Sequence, residues 1–117
     1  MPIQIPSLSG SLLEAKLANK FALEEKFRRL TTEWKSSRGP HSSTLKLVMH
    51  PAYQKIIGMG ADVIPMIFRE LESQPDSWFW ALRSIAETDP VAERDRGDGE
   101  AMARAWLAWG RKNGYSW

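Results

Sequence analysis

Any chemistry in this chain would have to come from two histidines, His41 and His50, the serines beside them and scattered carboxylates, because the sequence contains no cysteine. That absence removes a thiol nucleophile, a thiolate metal site and a disulfide framework. A transition-metal site is usually announced by spacings such as His-x3-His or His-Glu-x2-His, and neither histidine stands in one. Ser42, His50 and Asp62 supply the three types of a nucleophilic triad, but neither a nucleophile elbow nor an oxyanion loop accompanies them. Gly58-Met59-Gly60 lacks the G-x-G-x-x-G spacing and a preceding strand, so it reads as a helix corner and not as a phosphate cradle. His50, directly before Pro51, reads as a group that satisfies a helix terminus. Arg96-Gly97-Asp98 spells an integrin-recognition tripeptide, but Asp98 is better used as a helix cap. These residues imply no catalysis, no metal and no cofactor.

Two other sets of residues point to binding. Arg94, Arg96, Arg104, Arg111 and Lys112, with Tyr115 and Trp117, combine cations for phosphates with flat rings for bases, although Glu93, Asp95, Asp98 and Glu100 share the same stretch. Leu13, Leu17 and Phe21, together with Met66, Arg69, Trp80, Tyr115 and Trp117, are of the apolar, aromatic, Met and Arg types enriched at protein interfaces. The competing reading is that the aromatic members simply close a small core.

The elements that must position these residues follow from composition and period. A chain of 117 residues with ordinary apolar and charged fractions supports one globular domain. The formal charge is only +2, with both signs mixed along most of the length, which argues against a dedicated nucleic-acid binder. No apolar run approaches the roughly 20 residues of a membrane span, and no secretory leader is recognisable, so a cytoplasmic location is expected. Six tryptophans, at 34, 78, 80, 106, 109 and 117, are the compositional outlier, and most must build the core.

Residues 2–10 carry two prolines and read as a loose tail, and Ser11 with Glu14 reads as a capping box opening a helix near Leu12. That helix should run to about Ser37. At about 100° per residue its apolar stripe changes side, Leu13, Leu17 and Phe21 marking one face and Leu23, Phe27, Leu30 and Trp34 another. Either it curves around the core, as surface helices do, or its first part is a separable arm that binds a partner. Glu24–Arg28 and Glu25–Arg29 are spaced as (i, i+4) ion pairs on its solvated face.

Gly39-Pro40 breaks the chain, Ser43 caps a short helix over 44–49, and Pro51 opens another that Gly58 or Gly60 closes. Asp62 is expected to cap the next helix, with Pro65 in its first turn and Ile64, Ile67, Phe68 and Leu71 as its buried stripe. After Pro75, Asp76 or Ser77 is expected to cap a helix in which Trp78, Ala81, Leu82 and Ile85 share one side and Trp80 points nearly opposite. Asp98 caps a last helix to about Asn113, closed by Gly114.

The pair GADVIPMIFREL and WFWALRSIA resembles a single HEAT-type repeat, a pattern of two antiparallel amphipathic helices. From about Phe21 onward the chain is similar to a family of short uncharacterised bacterial proteins, through the words HPAYQKIIGMG at 50–60, PDSWFWAL at 75–82 and RGDGEAMARAWLAWGRKNGY at 96–115. That resemblance implies a boundary, with residues 1–20 outside the shared part, and no activity.

The expectation is therefore an all-α protein, a compact bundle of four to six helices with the HEAT-like pair at its centre, residues 1–20 a tail or arm and 21–117 a single domain. Its expected role is that of a small bacterial adaptor or accessory subunit binding another protein or itself. A nucleic-acid-associated or antitoxin-like regulator using the basic C-terminal helix is the alternative. No membrane partner is expected.

Overall fold

The structure, a computed structural model, describes residues 8–39 and 42–117, with side-chain environments from Leu12 onward. Among the described residues six α-helices follow in order: α1 Leu8–Ser37, α2 Thr44–Met49, α3 Pro51–Gly58, α4 Ile64–Ser73, α5 Phe79–Ala86 and α6 Gly99–Lys112. Short 3-10 turns lie over Gly60–Val63 and Glu93–Asp95, and the described residues contain no strand. The all-α bundle expected from the sequence is the fold observed.

Local chemistry accounts for three of the helix N-termini. The Ser43 hydroxyl accepts the Lys46 N–H at 3.2 Å, His50 Nδ1 accepts the Ala52 N–H at 3.0 Å, and Asp98 Oδ1 accepts the Ala101 N–H at 3.1 Å. Each satisfies one of the amides that a helix leaves unpaired at its first turn. Gly60, at φ 77°, turns the corner out of α3 in the left-handed region that glycine enters without a steric penalty.

Four expectations are corrected. Helix α1 begins at Leu8 and not near Leu12, so Ser11 and Glu14 lie within it; no proline stands between Pro6 and the end of the helix to interrupt it. Residues 1–7 of the expected tail lie outside the described residues. Asp62 does not cap α4; it sits inside the 3-10 turn that feeds directly into that helix, whose N-terminus has no side-chain cap. Neither Asp76 nor Ser77 caps α5, which starts after Trp78, because Asp76 is engaged by Arg38 from across the bundle. The (i, i+4) ion pairs of α1 are replaced: Arg28 pairs with Glu25 one turn back, and Glu24 reaches Arg69 on α4 at 3.7 Å.

The core has two aromatic centres. Around the first, Trp34 from α1, Tyr53 from α3 and Trp78 before α5 are fully buried, with ring centroids 4.8 Å apart for Trp34–Trp78 and 5.0 Å for Trp34–Tyr53, and Phe27 joins at 5.6 Å from Trp78. Two of its three polar edges are satisfied, while Trp78 Nε1 has no hydrogen-bond partner among the described residues. Trp34 Nε1 donates to the Leu47 carbonyl at 2.9 Å, while the Tyr53 hydroxyl donates to the Ser77 carbonyl at 2.8 Å and accepts the Ala81 N–H at 2.9 Å. The second centre is Phe68 of α4, covered by Trp117 at 4.8 Å and Tyr115 at 5.9 Å from the C-terminal turn. Ile64, Ile67, Phe68 and Leu71 form the buried stripe of α4 that the spacing predicts.

Helix α1 divides in two. Phe27, Leu30, Thr31 and Trp34 are buried against the bundle, chiefly on α3, whereas residues 12–22 are all exposed. A 30-residue helix is about 45 Å long. The molecule measures 66 Å along its longest axis against 32 and 23 Å across, consistent with the first part of α1 projecting from the bundle. The expectation that α1 curves around the core is overturned; its first part is an arm, and the helix crosses the expected 20/21 boundary unbroken.

Candidate functional site

The residues of a nucleophilic triad are not assembled. Ser42 and His50 line one cleft with Arg38 and Lys46, whereas Asp62 lines another with Lys16, Lys20 and Arg69. His50 Nδ1 is engaged by the Ala52 amide and the Ser42 hydroxyl by the Gly39 amide at 3.0 Å. His41 lies outside the described residues. Among the described residues no three His, Asp or Glu side chains converge in a way that could hold a metal ion.

The basic set is spread along α6 and the turn before it. Arg96 pairs with Asp89 at 3.1 Å and Glu93 at 3.2 Å, and Arg111 pairs with Glu72 at 3.0 Å while its guanidinium lies 5.1 Å from the Trp117 ring. Arg94, Arg104 and Lys112 are exposed and have no ion-pair partner among the described residues. Two of the five cations that a phosphate backbone would use are thus paired within the chain.

Of the residues read as partner-binding, the structure keeps some at the surface and draws others inward. Met66 is buried against the core. Tyr115 and Trp117 are half-buried on Phe68, so most of their ring surface serves their own chain. Arg69 is exposed and holds Glu24. Trp80 is 44% exposed, on the side of α5 away from Ala81 and Leu82, with the Arg83 guanidinium 5.1 Å from its ring. It forms one wall of a shallow cleft of about 310 Å³ between α2, α5 and the start of α6, with Val48, Phe79 and Met102 as apolar lining.

The largest uncovered apolar set is on the arm. Leu13, Leu17 and Phe21 are 58%, 47% and 69% exposed and recur every fourth residue, so they form a ridge along one side of α1. Scattered exposed apolar side chains need no explanation, but these three stand in one row on a projecting helix.

Three exposed apolar residues were not singled out by sequence reasoning: Leu12, Leu45 and Met49. For the last two a signal existed. The six-residue α2, TLKLVM, carries four large apolar residues, more than a helix of that length can turn to one side.

Comparison with family models, curated proteins and solved structures finds no match to this chain. The arm and the Trp80 cleft therefore have to be interpreted on their own geometry.

Proposed function

We propose that this protein is a non-catalytic interaction protein, a small adaptor or accessory subunit, that works by burying exposed apolar and aromatic side chains against another protein. The observation that carries the reading is the division of α1. Its second part is anchored in the core by Phe27, Leu30 and Trp34, and its first part presents Leu13, Leu17 and Phe21 to water. A helix held at one end and apolar along one side at the other is organised in advance for helix docking, which lowers the ordering cost of association. Trp80, stacked with Arg83 at the lip of a shallow apolar cleft, supplies a second anchor of the kind that dominates binding energy.

The test is affinity capture by the tagged full chain from nuclease-treated lysate of its source cells, beside Leu17→Glu and Phe21→Glu variants. The expected outcome is a stoichiometric protein held by the wild type and lost by both variants, which keep the wild-type melting temperature because these side chains lie outside the core. Undiminished capture by both variants would remove the arm from the interface. Capture of nucleic acid from a parallel lysate without nuclease, weakening steeply with salt and with Arg104→Ala, would replace the reading altogether.

A further inference from the structure

We infer that Asn113 is a site of spontaneous covalent modification, where loss of ammonia is held back by the closed C-terminal turn and, once it has occurred, keeps that turn open. The inference does not depend on the docking reading of the arm.

The sequence holds two asparagines, Asn19 and Asn113. Asn113 is exposed and is followed by Gly114, so no side chain crowds the approach of the next backbone nitrogen. That nitrogen is the nucleophile. It bonds to the Asn113 side-chain carbonyl carbon Cγ, the bond from Cγ to Nδ2 breaks, and Nδ2 leaves as ammonia with the proton of the Gly114 amide. Water then opens the imide ring at either of its carbonyls. Attack at Cγ leaves aspartate, and attack at the backbone carbonyl leaves isoaspartate; solvent water is the only co-reactant. Asn19 lies inside α1 before Lys20, whose side chain crowds the same approach, and so serves as an internal control.

The closed turn keeps each participant off this path. Asn113 Nδ2 donates to the Trp109 carbonyl at 2.8 Å, and the Gly114 N–H donates to the Arg111 carbonyl at 3.2 Å. At ψ 16° the Gly114 nitrogen is nearly eclipsed with the Asn113 nitrogen and not with Cβ, as the imide ring requires. Ring closure therefore needs rotation about the Asn113 Cα–C bond, and everything beyond that bond turns with it. What moves is the cover of Phe68. The Tyr115 N–H leaves the Gly110 carbonyl that it meets at 2.9 Å, and the Trp117 and Tyr115 rings leave their places 4.8 and 5.9 Å from the Phe68 ring. The reaction thus draws on the open turn alone, and its rate reads how often the turn opens.

The product cannot close as the parent does. Aspartate has no Nδ2 hydrogen for the Trp109 carbonyl and sets a carboxylate against the carbonyl end of α6, where negative charge is disfavoured. Isoaspartate lengthens the backbone by a methylene before Gly114 and shifts the residues that cover Phe68. Both routes leave this part of the core less covered, and neither reverses unaided.

Peptide mapping by mass spectrometry of the full chain, aged at mildly alkaline pH both folded and in urea, reads the exchange of ammonia for water at each asparagine. Conversion is expected at Asn113 well ahead of Asn19, and at least about tenfold more slowly in the folded chain than in urea. Trp117→Ala and Tyr115→Ala, each with wild-type circular dichroism, should both speed the folded reaction severalfold and leave the reaction in urea unchanged. Hydrogen exchange reads the consequence: in Asn113→Asp the Tyr115 amide should exchange about tenfold faster, from the lost hydrogen bond and the repulsion together. Equal rates folded and in urea would mean that the turn protects nothing. An Asn113 that converts in urea but in no folded chain, variants included, would mean that the turn never opens far enough. Either result overturns the inference, as does a Tyr115 amide unaffected by Asn113→Asp.

Discussion

Gly110 of α6 lies so close to Phe68 of α4 that a Cβ at this position would sit 2.4 Å from the ring's Cε2 and 3.0 Å from its Cδ2 and Cζ. The missing side chain is what lets α6 approach α4 and brings the C-terminal turn over the ring, where Tyr115 N–H donates to the Gly110 carbonyl at 2.9 Å. Gly110→Ala should therefore destabilise the fold by about 1–3 kcal/mol, although alanine is the better helix former, because a buried ring has to move. Urea denaturation measures this. A variant as stable as the wild type would mean that Phe68 yields freely, and the close approach would then not determine how α6 is seated.

Tyr53 ties three elements through one oxygen, donating to the Ser77 carbonyl and accepting the Ala81 amide. Burial pushes its phenol well above the ordinary tyrosine range, against the opposing effect of the Ala81 amide, so it stays protonated and able to donate at any physiological pH. Tyr53→Phe keeps the ring stacking but strands a half-buried carbonyl and a buried amide. The expected cost is about 1–3 kcal/mol, with the helical signal of the folded state unchanged. A negligible cost would show that water reaches both groups.

Arg38 and Asp76 join the end of α1 to the turn before α5 through two hydrogen bonds, at 3.0 and 2.7 Å, and the guanidinium lies 4.6 Å from the centre of the Trp34 ring. Burial of Asp76 favours its protonated form, but hydrogen bonds from Arg38 and from the Ser77 amide, with the attraction of Arg38 and Lys35, outweigh it and hold the carboxyl below its ordinary value. A group whose pKa is depressed by folding contributes stability that is fully present above the unfolded carboxylate pKa of about 3.9 and is lost as pH falls through the folded value. Asp76→Asn should thus cost about 1.5–3 kcal/mol near neutrality, and the gap between variant and wild type should narrow in the acid range below about pH 4. A gap that does not change with pH would mean that the carboxylate's charge contributes nothing to the bridge.

What could be read from the sequence was local. Ser43, His50 and Asp98 act as caps because a cap needs only its own next two or three residues, and the α4 stripe follows from helical period alone. Arg38–Asp76 and Glu24–Arg69 join residues far apart in sequence, and no spacing rule reaches across that distance; the local alternatives, Asp76 as a cap and Glu24 with Arg28, are what these contacts displaced. The change of apolar face along α1 was visible, but not that one of the faces would be left uncovered, since that depends on where the other helices end. Trp80 opposite the buried side of α5 was legible as a direction; its exposure needed the fold. Gly110 was missed, although a glycine inside the apolar run AWLAWG is itself a sign of close packing.

Thr31 places a polar group where the packing offers it nothing to bond. It is buried on α1 beside Phe27, among the residues lining the α1–α4 cleft, and its hydroxyl has no hydrogen-bond partner among the described residues. A desolvated hydroxyl left unpaired costs about 1–3 kcal/mol, and valine fills nearly the same space without one. Thr31→Val should therefore be stabilising by about 1 kcal/mol, read as a higher midpoint in urea with an unchanged slope, since its effect is confined to one side chain. If the variant is instead less stable, the hydroxyl does find a partner in solution and the cleft wall is polar at that point.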